Sequence, residues 1–236
     1  GIHLSYGVTD QSIDRKVEMT KSIKMWFGNP IYSTQIENHE ELNKSVLENL
    51  NINPTEGAFA KTTDVGEDGK DNLHTDVKYQ KLFDAIGNKI KEFLVDHHYD
   101  LTKFDVNITK AWATFSKKDQ YIKSHKHTAS HYSLVYYVKA EDQGGIYFDA
   151  DKKQSMYVPV NSNYFTNHSE INYASVKYPS VSGGLIIFPS HMLHYTESNQ
   201  KDEPRISISA DVLLTMKKGI KSEHCLPCPE TWSKIC

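Results

Sequence analysis

Six of the chain's twelve histidines lie between residues 125 and 194, and two of them form the pair His125-Lys126-His127 shortly before an apolar run. Side chains two apart on an extended strand point to the same side, so both imidazoles can address one metal ion. Farther on, Gly183-Gly184-Leu185-Ile186-Ile187-Phe188-Pro189-Ser190-His191-Met192-Leu193-His194 carries a buried strand into a turn that delivers His194. Arg205 follows eleven residues later, opening the strand Arg205-Ile206-Ser207-Ile208-Ser209. In an antiparallel hairpin, a histidine and an arginine at such a spacing can face one cavity. The histidine then offers a metal ligand, and the arginine a planar fork suited to a carboxylate. Solvent-exposed strand edges also carry H-x-H pairs, and arginines also bond local aspartates. The chemistry therefore rests on the pieces occurring together and in order.

The elements that position these residues begin near residue 104. Short β-rich runs at Ile108–Phe115, Ser133–Val138, Gly145–Phe148, Met156–Pro159, Tyr173–Tyr178, Leu185–Phe188 and Arg205–Leu213 are mostly bounded by Gly, Pro, Asn or Asp. That texture predicts an antiparallel sandwich or barrel. Ahead of it, Met25–Tyr32 reads as a short aromatic strand. Asn38 reads as the cap of a helix running to about Leu50, with Leu42, Val46 and Leu50 on one face. Residues 54–71 read as a long loop. A second helix over about 75–97 presents Leu82, Phe83, Ile86, Ile90, Phe93 and Leu94 as an apolar stripe. The expected fold is mainly β, a double-stranded β-helix (jelly roll) buttressed by N-terminal helices. Residues 1–25 read as an extension, and 26–214 as one domain with a helical front (26–103) and a jelly-roll core (104–214). Residues 215–236 read as a loose tail.

Composition narrows the function classes. The 14 Tyr, 9 Phe and 3 Trp supply bulk for one core in a chain of 236 residues with 38% apolar content. Lys and Arg total 27 against 30 Asp and Glu, a net charge of -3, so there is no electrostatic footprint for nucleic acid or an anionic membrane. No apolar run approaches the roughly 20 residues of a membrane span. No signal-peptide order opens the chain, and a cytoplasmic location is expected. The three cysteines, Cys225, Cys228 and Cys236, all lie in the last twelve residues. That is a poor disulfide framework, and Cys225-x-x-Cys228 with His224 is an incomplete zinc set.

With its segments in this order, the chain resembles the Fe(II)/2-oxoglutarate-dependent dioxygenases. It looks most like small oxygenases of bacteria and phages, with the prolyl-hydroxylase branch behind them. The resemblance covers roughly residues 109–214 and is carried by His125-x-His127, Tyr136-Tyr137-Val138, Gly144-Gly145-Ile146-Tyr147-Phe148, Gly184–His194 and Arg205. A weaker echo lies in Phe27-Gly28-Asn29-Pro30-Ile31. The resemblance implies that His125 and His194 are iron ligands and that Arg205 holds the distal carboxylate of 2-oxoglutarate. It implies that Tyr137 shares that carboxylate. Three protein ligands on one face of Fe(II) leave positions for the keto acid and O2. The implied reaction hydroxylates a C–H bond of an unknown substrate, with release of succinate and CO2. The partners implied are 2-oxoglutarate, O2 and that substrate, with no nucleic acid and no membrane.

One position departs from the family, which usually has Asp or Glu two residues after the first histidine, where this chain has His127. Three completions of the metal site stand open: the set His125, His127 and His194; a carboxylate such as Asp149 or Asp151 joining one member of the pair; or recruitment of His131. Two other functions also stand. One is a non-catalytic jelly-roll binding module with a structural metal, Arg205 gripping an acidic ligand. The other is a three-histidine dioxygenase that does not use 2-oxoglutarate. Trp112 and Phe115 read as core ahead of a substrate platform, His191 as a turn cap, and Asn161–Asn172 as a lid.

Overall fold

From Arg205 to Val212 polar and apolar side chains alternate strictly, and alternation sends them to opposite faces of a strand. The computed structural model, which describes residues 28–52, 54–64, 69–150, 166–167, 172–220 and 226–235, is organised around that alternation. The strands are β1 (Tyr32–Gln35), β2 (Lys61–Thr62), β3 (Phe104–Ser116), β4 (Tyr132–Lys139), β5 (Ile146–Asp149), β6 (Ser175–Tyr178), β7 (Gly184–Pro189), β8 (His194–Thr196) and β9 (Arg205–Met216). Two helices, α1 (His39–Asn49) and α2 (Gln80–Asp96), precede β3.

A six-stranded sheet has the order β1-β7-β4-β9-β3-β2, and a three-stranded sheet the order β6-β5-β8. The pairings within both sheets are antiparallel. On the outer face of the large sheet Tyr136, Leu185, Ile187, Ile206, Ile208 and Ala210 join the buried stripe of α2 and Val46 of α1. A helix of this length is marginal alone in water, so its buried stripe holds it. On the inner face Val135, Tyr137, Ile186 and Phe188 meet Ile146 and Phe148 of the small sheet. The layers are helices, large sheet and small sheet, which is the expected jelly roll with N-terminal buttressing helices.

Local differences have physical causes. β2 and β8 have two and three residues, too few to show a period, so 54–71 was readable only as a loop. Asn38 sits at the N-cap of α1 but in the left-handed region (φ 55°), and its side chain makes no capping bond. α2 begins at Gln80 because Leu73–Thr75 and Val77–Tyr79 form 3-10 turns. The expected hairpin between His194 and Arg205 does not form. β8 pairs with β5 in the small sheet, whereas β9 pairs with β3 and β4 in the large one. The two residues approach one cavity from facing sheets. The described part of the tail is attached rather than loose: Leu226 packs on the outer core and Met216 N–H donates to Pro227 O at 3.0 Å. The run Met156–Pro159, the 1–25 extension and Cys225 lie outside the described residues. Among the described residues no helix is long and apolar enough to cross a membrane.

Candidate active site

Between the sheets lies a cavity of about 620 Å³, within the size range of small-molecule sites. Its lining follows the two-residue period. β3 contributes Lys110, Trp112, Thr114 and Ser116, and β9 contributes Arg205, Ser207, Ser209 and Asp211. Their apolar neighbours turn the other way into the helix-covered core.

At one end, one ring nitrogen from each of His125, His127 and His194 lies within 4.8 Å of the others. The pair sits outside any named strand, but its extended segment is stitched to β8. His125 N–H donates to His194 O and His194 N–H to His125 O, both at 2.9 Å, and His127 N–H donates to Ser190 O at 2.9 Å. Each ring is turned by its Nδ1. His125 Nδ1 lies 2.8 Å from Lys123 O, His194 Nδ1 2.9 Å from Met192 O, and His127 Nδ1 2.6 Å from Asp211 Oδ1. Carbonyl and carboxylate oxygens only accept, so each Nδ1 carries a hydrogen, which leaves Nε2 as the ligating atom of each ring in its neutral form. His125 Nε2 and His127 Nε2 stand 3.3 Å apart. When both rings are neutral, the two lone pairs at that distance repel one another unless a cation sits between them. Burial favours the neutral, ligating form: it lowers the pKa of His125, and it takes that of His194 down to about 3. Trp112 stacks on His127, with ring centroids 5.4 Å apart and an interplanar angle of 27°.

At the other end Arg205 is 3% exposed. Its Nη1 donates to Gln143 O (3.2 Å), Glu197 O (3.3 Å) and Gly144 O, and its Nη2 to Thr196 Oγ1 (3.0 Å) and Glu197 O (3.3 Å). These bonds fix the guanidinium, yet no carboxylate neutralises it within 4.0 Å among the described residues. Burial pulls its pKa down, opposed by Tyr137 and Glu197. Tyr137 lines the same cavity, and among the described residues its buried hydroxyl has no hydrogen-bond partner. Burial raises that hydroxyl to about 12, so it stays protonated and able to donate. Gly144 makes the close approach possible. Its φ is +93°, and a Cβ there would stand 2.7 Å from Ser198 O and 3.0 Å from Arg205 Nη1.

The structure therefore brings together His125, His127, His194, Arg205 and Tyr137 around one cavity. It does not bring Asp149 or His131 into the histidine cluster. Asp149 continues β5 on the face opposite Phe148, which packs near His194, and His131 Nδ1 accepts from Leu214 N–H at 3.1 Å. Asp151 lies outside the described residues. Trp112 is buried as expected and also forms a wall of the cavity, while Phe115 packs against the core as expected. Sequence reasoning missed Asp211. Its signal was present in Arg205-Ile206-Ser207-Ile208-Ser209-Ala210-Asp211, where even spacing puts the acid on the arginine's face.

Residues 110–211 match the family model described as "Putative 2OG-Fe(II) oxygenase". The resemblance read from the sequence is borne out over this core. No curated protein matches the chain in sequence. Among solved structures it is similar to the non-heme alpha ketoglutarate dependent epimerase SnoN from nogalamycin biosynthesis, at TM-score 0.52 and 15% identity over 81% of this chain and 83% of that one. HygX from Streptomyces hygroscopicus, with nickel, 2-oxoglutarate and hygromycin B bound, gives 0.51 and 9% over 78% and 82%. AviO1 from Streptomyces viridochromogenes Tue57 gives 0.51 and 10% over 85% and 93%. At these identities the likeness is one of fold.

Proposed function

We propose that this chain is an Fe(II)- and 2-oxoglutarate-dependent oxygenase that attacks a C–H bond of its substrate. His125, His127 and His194 would hold the iron, and Arg205 with Tyr137 would hold the distal carboxylate of the keto acid. One observation carries the reading. A single cavity holds three converging imidazole nitrogens at one end and, at the other, a buried guanidinium with no carboxylate on it beside a hydroxyl without a partner among the described residues. The first needs a cation and the second an anion, and a metal-chelating dicarboxylate meets both needs.

The donor set suits iron: neutral imidazoles ligate it, and three protein ligands leave positions for the keto acid and O2. When bound, the iron would let O2 act as the oxidant, with the keto acid supplying two of the four electrons as it is oxidised to succinate and CO2. The protein's own part is to place and shield. Arg205 and Tyr137 fix one end of the keto acid, Lys123 O, Met192 O and Asp211 fix the imidazoles, and Phe188 and Ile146 exclude water from the inner wall. Trp112, beside His127, is the surface against which a substrate would be held. SnoN is named an epimerase, so hydroxylation is one outcome of C–H attack, and substrate placement selects it.

A three-histidine oxygenase that takes no keto acid is the second reading. The histidines favour it, because no carboxylate joins their cluster among the described residues. Arg205 and Tyr137 weigh against it. The deciding experiment is an anaerobic titration of 2-oxoglutarate into the Fe(II)-loaded protein, monitored for a visible metal-to-ligand charge-transfer band. The proposal expects a band that is absent in His194→Ala. Iron binding without a band would remove 2-oxoglutarate and leave the second reading.

A further inference from the structure

Asp211 is buried (6% exposed) and lies against His127 Nδ1 at 2.6 Å and Ser133 Oγ at 2.7 Å. Behind it runs a file of hydroxyls, with Ser133 Oγ and Ser130 Oγ each 2.9 Å from Ser190 Oγ. Among the described residues no lysine or arginine comes within 4.0 Å of its carboxylate. A buried carboxylate without a counter-charge is costly, and Ser133 supplies a hydrogen bond but no charge. The site where a positive charge would offset it lies across one imidazole, among the three ring nitrogens.

We infer that Asp211 is a positioning residue that supplies, through His127, the negative charge the metal centre lacks among its own ligands. The inference rests on the iron reading above. A divalent cation, a doubly charged keto acid and Arg205 together carry one net positive charge, and Asp211 offsets it. Its hydrogen bond also makes the His127 ring a stronger electron donor at Nε2, since the Nδ1 hydrogen is held by an anion. Register secures the contact: Ser133 of β4 is paired with Asp211 of β9, so both side chains leave neighbouring strands on the cavity face. The stacked Trp112 holds the His127 ring plane from the side.

The test is Asp211→Asn, which keeps the shape and an oxygen acceptor for His127 while removing the charge. Anaerobic Fe(II) titration should show an affinity about 10–100-fold weaker than that of the unmodified chain. The charge-transfer band with 2-oxoglutarate should move to shorter wavelength, because a less electron-rich iron gives up an electron less readily. A merely structural contact would leave the band where it was. Ser133→Ala tests the same idea with the opposite sign and covers the case in which Asp211→Asn does not fold. The carboxylate loses a donor, and the band should move to longer wavelength. Asp211→Asn with unchanged affinity and an unmoved band, in a protein whose His127→Ala form has lost iron, would overturn the inference and leave the iron reading standing. Failure of the unmodified chain to bind Fe(II) would overturn both.

Discussion

Replacing Tyr137 with Phe separates the keto-acid reading from a purely structural role because the two make opposite predictions for one variant. The hydroxyl is buried with no partner among the described residues, and an unpaired buried polar group costs about 1–3 kcal/mol. Tyr137→Phe removes that cost and leaves the ring, which packs with Val135, Ile146 and Phe188. The ligand-free variant should therefore melt higher, by about 2–4 °C for each kcal/mol recovered in a chain of this length. Binding should move the other way. The protonated hydroxyl, held near pKa 12 by burial, would donate to a carboxylate, a charge-assisted bond worth about 1.5–3 kcal/mol. Its loss corresponds to roughly 10- to 150-fold weaker affinity. The assay is thermal unfolding of the empty protein beside anaerobic 2-oxoglutarate titration of the Fe(II) form. Arg205→Met supplies the contrast: it strands the Gly144, Gln143 and Glu197 carbonyls, so stability and affinity should fall together. Unchanged affinity in Tyr137→Phe would refute the assignment of the hydroxyl to the keto acid. A lowered melting temperature would show that the hydroxyl is bonded in the empty protein, refuting the argument at its first step.

Two further outcomes follow from the same geometry. Gly144→Ala must adopt a positive φ and push a methyl against Ser198 O and Arg205; a loss of about 1–3 kcal/mol in denaturant unfolding is expected, with weaker 2-oxoglutarate binding because the guanidinium is displaced. His131 has its pKa lowered by burial while Nδ1 accepts from Leu214 N–H. Its folded-state pKa lies below that of the unfolded chain, so the unfolded chain takes up the proton first as pH falls below about 6.5. Stability is then lost toward acid, with a ceiling of ~1.4 kcal/mol per pH unit. His131→Gln retains an acceptor that does not titrate, and its unfolding free energy should decline less steeply between pH 6.5 and 5; an identical slope would exclude His131 as a source of the acid sensitivity.

The sequence made some of this legible through periodicity. Leu82 to Leu94 announced α2 because a stripe of that length has one helical reading, and Leu185 to Phe188 announced β7 because a continuous apolar run between turn residues suits a strand buried on both faces. The histidine pair and Arg205 were visible as residue types. What stayed hidden depends on contacts between distant segments. β8 is three residues long, and its place beside β5 is decided by the Tyr147–Tyr195 and Phe148–His194 pairings, which leave no local pattern. Trp112 reads as core ahead of a substrate platform, since the strand pattern does not say whether a buried face meets a helix layer or a cavity. Which of His127, His131 and a carboxylate lies beside His125 and His194 is a property of tertiary contacts alone: His131 is turned to Leu214 N–H, and no carboxylate joins the cluster among the described residues.

β9 shows how one local pattern becomes a functional layout. Its alternation sends Ile206, Ile208, Ala210 and Val212 into the helix-covered core and Arg205, Ser207, Ser209 and Asp211 into the cavity. Six residues of strand span about 20 Å at the usual rise, so one strand face carries a cation at one end and an anion at the other. The small serines between them leave open the space where a keto acid would lie. A one-residue slip would send Arg205 and Asp211 into the apolar core and four apolar side chains into the cavity, so the hydrophobic pattern that fixes the register also fixes the polarity of the site. The register shifts are confined to Ile108/Lys110 on β3 and Tyr137/Lys139 on β4. Neither lies between Ser207 and Asp211 on the β4 pairing, where Ser207 faces Tyr137 and Asp211 faces Ser133. Both of the proposed anchors, the hydroxyl for the keto acid and the serine behind the metal centre, are thus set by a single uninterrupted stretch of ladder.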